Sequence, residues 1–520
     1  MQSPLVKVLM ASTAAQVVQA SSCSPEVFSS VGIPKGEVLS LTAELAETLP
    51  SQQTANNWPI FSNTTTLTCQ VTIQYTHPGW NDTINTYVWL PVEDWNGRFV
   101  GVGGGGWAAG QPTDLGLQVA RGYAAVTTDG GHPFERSDDL DYWAMVGKDS
   151  INWYNMLNFF SVALDDAATL GKAAVVAYYG REQEYSYWNG CSTGGRQGFM
   201  MAQRYPEQYD GILASAPAIN WGQLVISMYL PILTMRSLDY YPSNCELNAI
   251  TSAAVEACDE ADGLKDDVVV RTWECEFDAS SVVGQKYSCG NESGIITSQA
   301  AEVASTTWSG SVFQNGRRAG WGLAPSAPLV GIANVVCSSP GDCEPAPFIL
   351  STQWISKFVL ENSDADLSTL TDEEYLSLFR QSANKYSSLS DTNDPDLTDF
   401  KLAGGKMITW HGGDDILIPY NSTVDYYEKV AALDADVLDY FRFFSAPGVQ
   451  HCQDGAGWFP GEAFESLVDW VENGKAPETL YGRPRGSNFT GEREANLCLY
   501  PKQIRYIGGD PEVASSFECQ

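Results

Sequence analysis

Residues 188–199 read WNGCSTGGRQGF. Ser192 sits in a Gly-x-Ser-x-Gly frame, Gly190 to Gly194, preceded by the β-like run YSYWN (185–189) and followed by the helix-forming RQGFMMAQRY (196–205). A nucleophile on a sharp strand-to-helix turn needs small neighbours, because the strained residue is packed tightly while its hydroxyl projects above the sheet. The stretch therefore predicts a strand, a nucleophile turn and a helix, the centre of an α/β sheet.

Upstream, INTYVWLP (84–91), GRFVGVGGGG (97–106) and GYAAVTTDGGH (122–132) alternate β-like runs with turn signals, and a helical stretch follows at about 150–178. Downstream, DGILASAPA (210–218) reads as another strand. Strands alternating with helices predict a mostly parallel sheet. From 225 to 395 that rhythm is lost, in favour of polar segments such as ENSDADLSTLTDEE (361–374). It resumes at GKMITWHGGDD (405–415) and YFRFFSAPG (440–448). At 520 residues the chain exceeds the prior of about 100–200 residues per domain. The predicted organisation is a catalytic α/β domain at 21–224 and 396–520, interrupted by an inserted lobe at 225–395.

A serine hydroxyl needs a base and an acid to orient that base. The histidines are His77, His132, His411 and His451. In the order Ser, Asp/Glu, His along the chain, only the last two lie downstream. His451 follows a strand, at the sheet edge where catalytic groups gather. His411 lies in WHGGDDILIP (410–419) and reads as a hydrogen-bonded structural histidine beside the site; the acid is Asp414 or Asp415. Cys191 precedes Ser192 and Cys452 follows His451, so a Cys191–Cys452 disulfide would tie the nucleophile turn to the histidine loop.

Acyl transfer also needs oxyanion donors. Thr193 N–H, just after the nucleophile, is one, and the glycine run VGVGGGGW (100–107) offers a second at Gly104 or Gly105. Gly101, Gly103 and Gly106 also match a dinucleotide fingerprint, with Asp129 as a ribose-binding acid. Gly110 and Pro112 delay any helix that would meet a pyrophosphate, which argues against an oxidoreductase.

A net charge of −34 repels phosphate backbones and anionic headgroups, so neither nucleic-acid nor membrane-surface binding is expected. No run reaches the 18 or so apolar residues of a membrane span. Residues 1–20, with Lys7, the apolar VLMASTAAQVVQA and a Val18-x-Ala20 pair, read as a signal peptide. Twelve cysteines without CxxC pairs suit a disulfide framework, and sequons at Asn63, Asn81, Asn291, Asn421 and Asn488 are acceptors for glycans in a secreted chain. Export to the extracellular space is the expectation. The 16 Trp and 24 Tyr are enough to line a pocket for a ring-bearing ligand.

In CDEADGLKDDVV (258–269), Asp259, Asp262 and Asp266 are spaced around a glycine. Such spacing suits a hard cation taking six to eight oxygens, and the plain alternative is a solvated acidic turn.

Together these residues resemble the tannase/feruloyl esterase family of serine hydrolases, whose signature is a Cys-Ser, an Asp and a His-Cys, here Cys191-Ser192, Asp415 and His451-Cys452. The family pattern H-G-x-x-D-x-x-I-P, matched by His411, Gly412, Asp415, Ile418 and Pro419, selects Asp415 over Asp414. The resemblance runs from about residue 23 to 520. It implies an α/β-hydrolase fold whose inserted lobe is a lid, and activity on phenolic or aromatic acid esters of ferulate or gallate type. It also implies a structural calcium held by Asp259, Asp262, Asp266 and the carbonyls of Leu264 and Val268; Asp267 stands where the family commonly has glycine. Cys23–Cys69, Cys258–Cys275 and Cys498–Cys519 are implied in the same way, and Cys245–Cys289 and Cys337–Cys343 are assigned to the cysteines that remain. The competing readings are a hydrolase or acyltransferase of a biosynthetic pathway on the same fold, which transfer to an alcohol acceptor distinguishes, and a non-catalytic binding protein, which a serine-directed phosphonate would leave unlabelled. The oligomeric state is not encoded in any motif.

Overall fold

The computed structural model describes residues 22–49, 65–339, 342–485 and 493–520. The expected signal peptide and the sequons at Asn63 and Asn488 lie outside the described residues.

Nine described strands form one sheet: β1 (Glu37–Thr48), β2 (Thr66–Thr76), β3 (Ile84–Pro91), β4 (Arg98–Val102), β5 (Ala124–Thr128), β6 (Tyr185–Cys191), β7 (Gly211–Ser215), β8 (Lys406–Gly412) and β9 (Phe441–Ala446). Their spatial order is β1-β2-β3-β5-β4-β6-β7-β8-β9. Every pair from β5 to β9 is parallel. β5, β7 and β9 are buried along their whole lengths, as strands covered on both faces must be. The first strands instead pair antiparallel, β1 with β2, β2 with β3 and β3 with β5. β1 and β2 were not anticipated, although TLTCQVTIQYT in β2 carries the period-2 pattern of a strand, seen in its alternating burial.

On one face, α1 (Ala163–Tyr179) and α2 (Thr193–Arg204) bury Ala167, Leu170, Phe199 and Met200 against Phe99, Val126 and Phe441. α1 approaches so closely that a Cβ on Gly171 would stand 2.6 Å from the Phe99 ring. It ends at Gly180, which caps it at φ +70 without the steric cost any other residue would meet. The other face packs Leu115, Trp410, Phe459, Phe464 and Leu467.

Between Ser215 and Lys406 no described residue enters the sheet. This excursion holds helices and three two-stranded ribbons, and its apolar cluster, with Trp354, Phe358, Tyr375 and Tyr386, continues into Trp107 and Phe159 of the sheet domain. The helix α3 (Trp221–Ser227) crosses residue 225, so the chain leaves the sheet somewhat before that point. Six disulfides close the framework. Cys23–Cys69 holds the N-terminal segment to β2, Cys498–Cys519 joins two C-terminal ribbons, and Cys245–Cys289, Cys258–Cys275 and Cys337–Cys343 lie in the excursion. The sixth joins Cys191 to Cys452.

Candidate active site

β6 runs into α2 through Ser192, whose φ of 62° and ψ of −121° lie outside the ordinary regions for a residue bearing a side chain. The turn survives because its surroundings fix it. Ser192 N–H donates to Ser215 O at 3.1 Å, and Ser192 O accepts from Arg196 N–H at 3.0 Å. A Cβ on Gly190 would stand 2.4 Å from Gly194 O, so the frame admits only glycine there.

β8 delivers the acid. Asp415 is buried, and its Oδ1 accepts from the N–H groups of Leu417 and Ile418, both at 2.9 Å. Its Oδ2 lies 2.7 Å from His451 Nδ1 and 3.1 Å from His411 Nε2. Burial alone would raise this carboxyl, but the two histidines and their hydrogen bonds outweigh it and hold the group well below the usual carboxylate range. Because an ionised carboxylate only accepts, His451 carries its proton on Nδ1, leaving Nε2 as the basic nitrogen. His411 Nε2 faces both Asp415 Oδ2 and Ile418 O at 3.0 Å, so it is the protonated nitrogen of that ring, while Nδ1 accepts from Thr423 Oγ1 at 2.8 Å. Asp414, by contrast, is turned to Ser326 Oγ at 2.5 Å, and burial pushes its carboxyl up to about 6.

Ser192 and His451 line one cavity of about 520 Å³. Their neighbours Cys191 and Cys452 are bonded, with Cα atoms 6.0 Å apart. Trp221, Leu224, Val225, Met228, Phe348 and Leu350 give the cavity an apolar wall, mostly from the excursion.

The glycine loop after β4 lies against the nucleophile turn. Gly104 O accepts from Gly194 N–H at 2.9 Å, and Thr193 Oγ1 donates to Gly106 O at 2.9 Å. Gln197 of α2 reaches back with both ends of its amide, Oε1 accepting from Gly104 N–H at 3.0 Å and Nε2 donating to Ala109 O at 2.9 Å. Gly104 N–H is thereby committed, which corrects its candidacy as an oxyanion donor. Gly105 lines the cavity and its N–H donates to no acceptor among the described residues. No helix follows the glycines directly, since a turn at Pro112–Asp114 and the short helix Leu115–Ala120 begin only after Gly110, and Asp129 is spent on Asn85 and the Gly131 N–H. Neither feature suits a dinucleotide.

His132 is buried, stacks on Trp143 with ring centroids 3.8 Å apart and is pushed down to about 4 by burial; His77 pairs with Asp82 at 2.7 Å. Neither lines the cavity that Ser192 and His451 share. Gln111, Asp114 and Gln118 also line the cavity and were not anticipated, since nothing local in the sequence marks a polar residue as cavity-facing.

In the acidic turn, Asp259 Oδ2 accepts from the N–H groups of Asp266 and Asp267, both at 3.0 Å, and Asp262 Oδ1 accepts from Leu264 N–H at 3.0 Å. Asp262 Oδ2 is buried without a partner. Burial pushes Asp266 up to about 6, although the Arg493 guanidinium sits on its Oδ2 and opposes the shift. No group of three His, Cys, Asp or Glu side chains is gathered to hold a metal among the described residues. The donor set still fits a hard cation in chemistry, since Asp262 Oδ2 is an unpaired anionic oxygen that a cation would satisfy. Asp267 adopts φ +65, which explains why glycine is favoured at that place and why Asp, tolerant of this region, replaces it. Of the described sequons, Asn81 and Asn291 are exposed and Asn421 is half-buried.

A family profile described as "Tannase and feruloyl esterase" matches residues 69–520. The chain is 38% identical to a probable feruloyl esterase of Arthroderma benhamiae, over 99% of this chain and 96% of that one. It is 30% identical to a tannase of Aspergillus oryzae, over 91% of this chain and 89% of that one. Among solved structures, a tannin acyl hydrolase from Aspergillus niger superposes with a TM-score of 0.86 at 28% identity, covering 96% of this chain and 95% of that chain. The chain belongs to the tannase and feruloyl esterase family of carboxylic ester hydrolases.

Proposed function

We propose that the protein hydrolyses phenolic or aromatic acid esters through an acyl-enzyme, with Ser192 as nucleophile, His451 as base and Asp415 as its orienting acid. The observation that carries this reading is the 2.7 Å contact of Asp415 Oδ2 with His451 Nδ1 in a cavity that Ser192 also lines. His451 Nε2 takes the Ser192 proton as Oγ attacks the ester carbonyl, and returns it to the departing alcohol. Water, deprotonated by the same nitrogen, then releases the acid and restores the serine. Thr193 and Gly105 N–H groups are the oxyanion donors. The phenolic character of the substrate is supported by the relatives named feruloyl esterase and tannase, and by the apolar wall around the serine.

The lobe at 225–395 acts as a lid, supplying much of that wall. A structural calcium in the lid is held by Asp259, Asp262 and Asp266 with the carbonyls of Leu264 and Val268. It supplies positive charge to a crowded acidic turn and takes no part in the chemistry. Export is supported by the six disulfides, which form and persist in oxidising compartments. On this reading residues 1–20 are the leader and the sequons carry glycans.

Turnover of methyl ferulate, methyl gallate and simple alkyl esters by the wild type and by Ser192→Ala tests the activity. Hydrolysis of an aromatic ester that disappears in the variant is the expected result, and full activity of the variant would reject the assignment. For the metal, elemental analysis of protein never exposed to chelator is expected to find calcium, and added calcium to raise the melting temperature of stripped protein. Failure of both would remove the calcium.

A further inference from the structure

Charge is unevenly distributed over the cavity that holds Ser192 and His451. Among the described residues that line it, Asp114 is the one carboxylate, and none is a Lys or an Arg. Asp114 closes the turn after the glycine loop and is half-buried. Gln111 Nε2 donates to its Oδ1 at 3.0 Å, which fixes the plane of the carboxyl. Oδ2 accepts from no donor, and no Lys or Arg pairs with Asp114, among the described residues. Oδ2 is not enclosed either, and keeps accessible surface. Burial still reaches the group and pushes it up to about 6, against the opposing Gln111 bond.

An anion with no counter-ion in partly desolvated surroundings is poorly solvated, and an ester that displaces water from the cavity worsens its position. A cation carried by that ester offsets the loss by direct attraction, whereas a neutral group of the same shape does not. The rest of the wall suits an organic cation. Phe134, 46% exposed, lines the cavity together with the half-buried Phe348. Aromatic faces attract a quaternary ammonium, whose methyl shell also packs on apolar side chains. We propose that Asp114 makes this cavity selective for esters that carry an organic cation, with its free carboxylate oxygen as the counter-charge. The selection rests on the esterase reading above and adds a charge to its substrate class. The cation sits on the alcohol or on the acyl ring, and the test separates the two.

The experiment measures kcat/KM for two pairs of esters matched in shape, each value divided by the ester's own rate of alkaline hydrolysis so that intrinsic reactivity cancels. Benzoylcholine against 3,3-dimethylbutyl benzoate reports on the alcohol, and methyl 4-(trimethylammonio)benzoate against methyl 4-tert-butylbenzoate reports on the acyl ring. Well above the value near 6 at which Asp114 takes up a proton, the wild type is expected to favour the cationic member of one pair by about tenfold or more. Asp114→Asn and Asp114→Ala are each expected to reduce that preference by about fivefold or more. A ratio taken within one variant is insensitive to how much of that variant folds. In the wild type itself the preference is expected to fade as pH falls below about 6, where Asp114 is neutral. Protonation of His451, the other ionisable group of the cavity, acts alike on both members of a pair. A wild type without a preference in either pair, or a preference that neither the variants nor acid reduces, would overturn the selection alone. So would hydrolysis of methyl ferulate or methyl gallate but of none of the four esters. Failure on all six would overturn the esterase reading and the selection with it.

Discussion

Asp415 Oδ2 lies 2.7 Å from His451 Nδ1, while the other oxygen of the same carboxylate is held by two backbone N–H groups. This arrangement decides what Asp415→Asn would do. The amide oxygen must turn to the N–H groups of Leu417 and Ile418, which places the NH2 against His451 and obliges Nδ1 to accept. Nε2 then carries the proton and is no base for Ser192. A loss of about 10⁴-fold in kcat is expected, with little change in melting temperature, checked by ester turnover and thermal unfolding. Retention of wild-type kcat would reject the role.

His411 supports the acid from behind, since its Nε2–H donates to Asp415 Oδ2 and its ring is fully buried. His411→Phe removes that donor and leaves Ile418 O and Thr423 Oγ1 without their partner. We expect kcat to fall by about tenfold with KM little changed, because neither His411 nor Asp415 lines the cavity. Steady-state kinetics on one ester are sufficient, and an unaltered kcat would make His411 a bystander.

The neighbouring Asp414 predicts a pH-dependent stability of the opposite sense from Asp415. Burial raises its folded-state value to about 6, above an ordinary aspartate near 4. The folded state therefore holds the proton more tightly than the unfolded one. Stability is fully present below about pH 4 and is lost as pH rises through about 6. Asp414→Asn keeps an acceptor for Ser326 and has no charge to bury, so it should gain up to about 3 kcal/mol at pH 7 and nothing comparable at pH 4. Denaturant unfolding at the two pH values checks this, and equal effects at both would show that the proton is not the cause.

The Cys191–Cys452 bond joins two residues beside strained backbone, with φ +62 at Ser192 and φ +63 at Cys452 itself. Replacing both cysteines by alanine frees the histidine loop from the nucleophile turn. Displacements near 1 Å can cost about a hundredfold, so a fall in kcat of that order is expected, larger than the accompanying loss in melting temperature would explain. Full turnover in the double variant would show that the loop is placed by packing alone.

Much of the central sheet was legible in the sequence because buried parallel strands and the glycine-framed turn are local patterns. YSYWN, DGILAS and KMITWHG each announce themselves as strands through composition and flanking turns. At the antiparallel edge β1 is largely exposed and lacks the buried alternation of a strand, whereas the period-2 pattern of β2 was there to be read. Choosing Asp415 over Asp414 required the family pattern. Two adjacent aspartates look alike in sequence, and only the direction in which the chain turns after β8 separates one facing two histidines from one facing Ser326. The Gly104 donor failed for a similar reason, since the Gln197 amide that occupies it comes from 93 residues away. Asp114 and Gln118 illustrate the same limit, because a cavity is a property of the fold rather than of any short segment.

The disulfide that precedes the serine and follows the histidine spans 261 residues of sequence, and the whole excursion lies inside that span. A protease that severs the chain anywhere within the excursion therefore cannot part Ser192 from His451. The two fragments remain one covalent molecule until a reductant acts, and the cut enzyme keeps its serine and histidine in register across the break. For a chain expected to work among foreign proteases, the exposed lobe can be nicked without scattering the machinery beneath it.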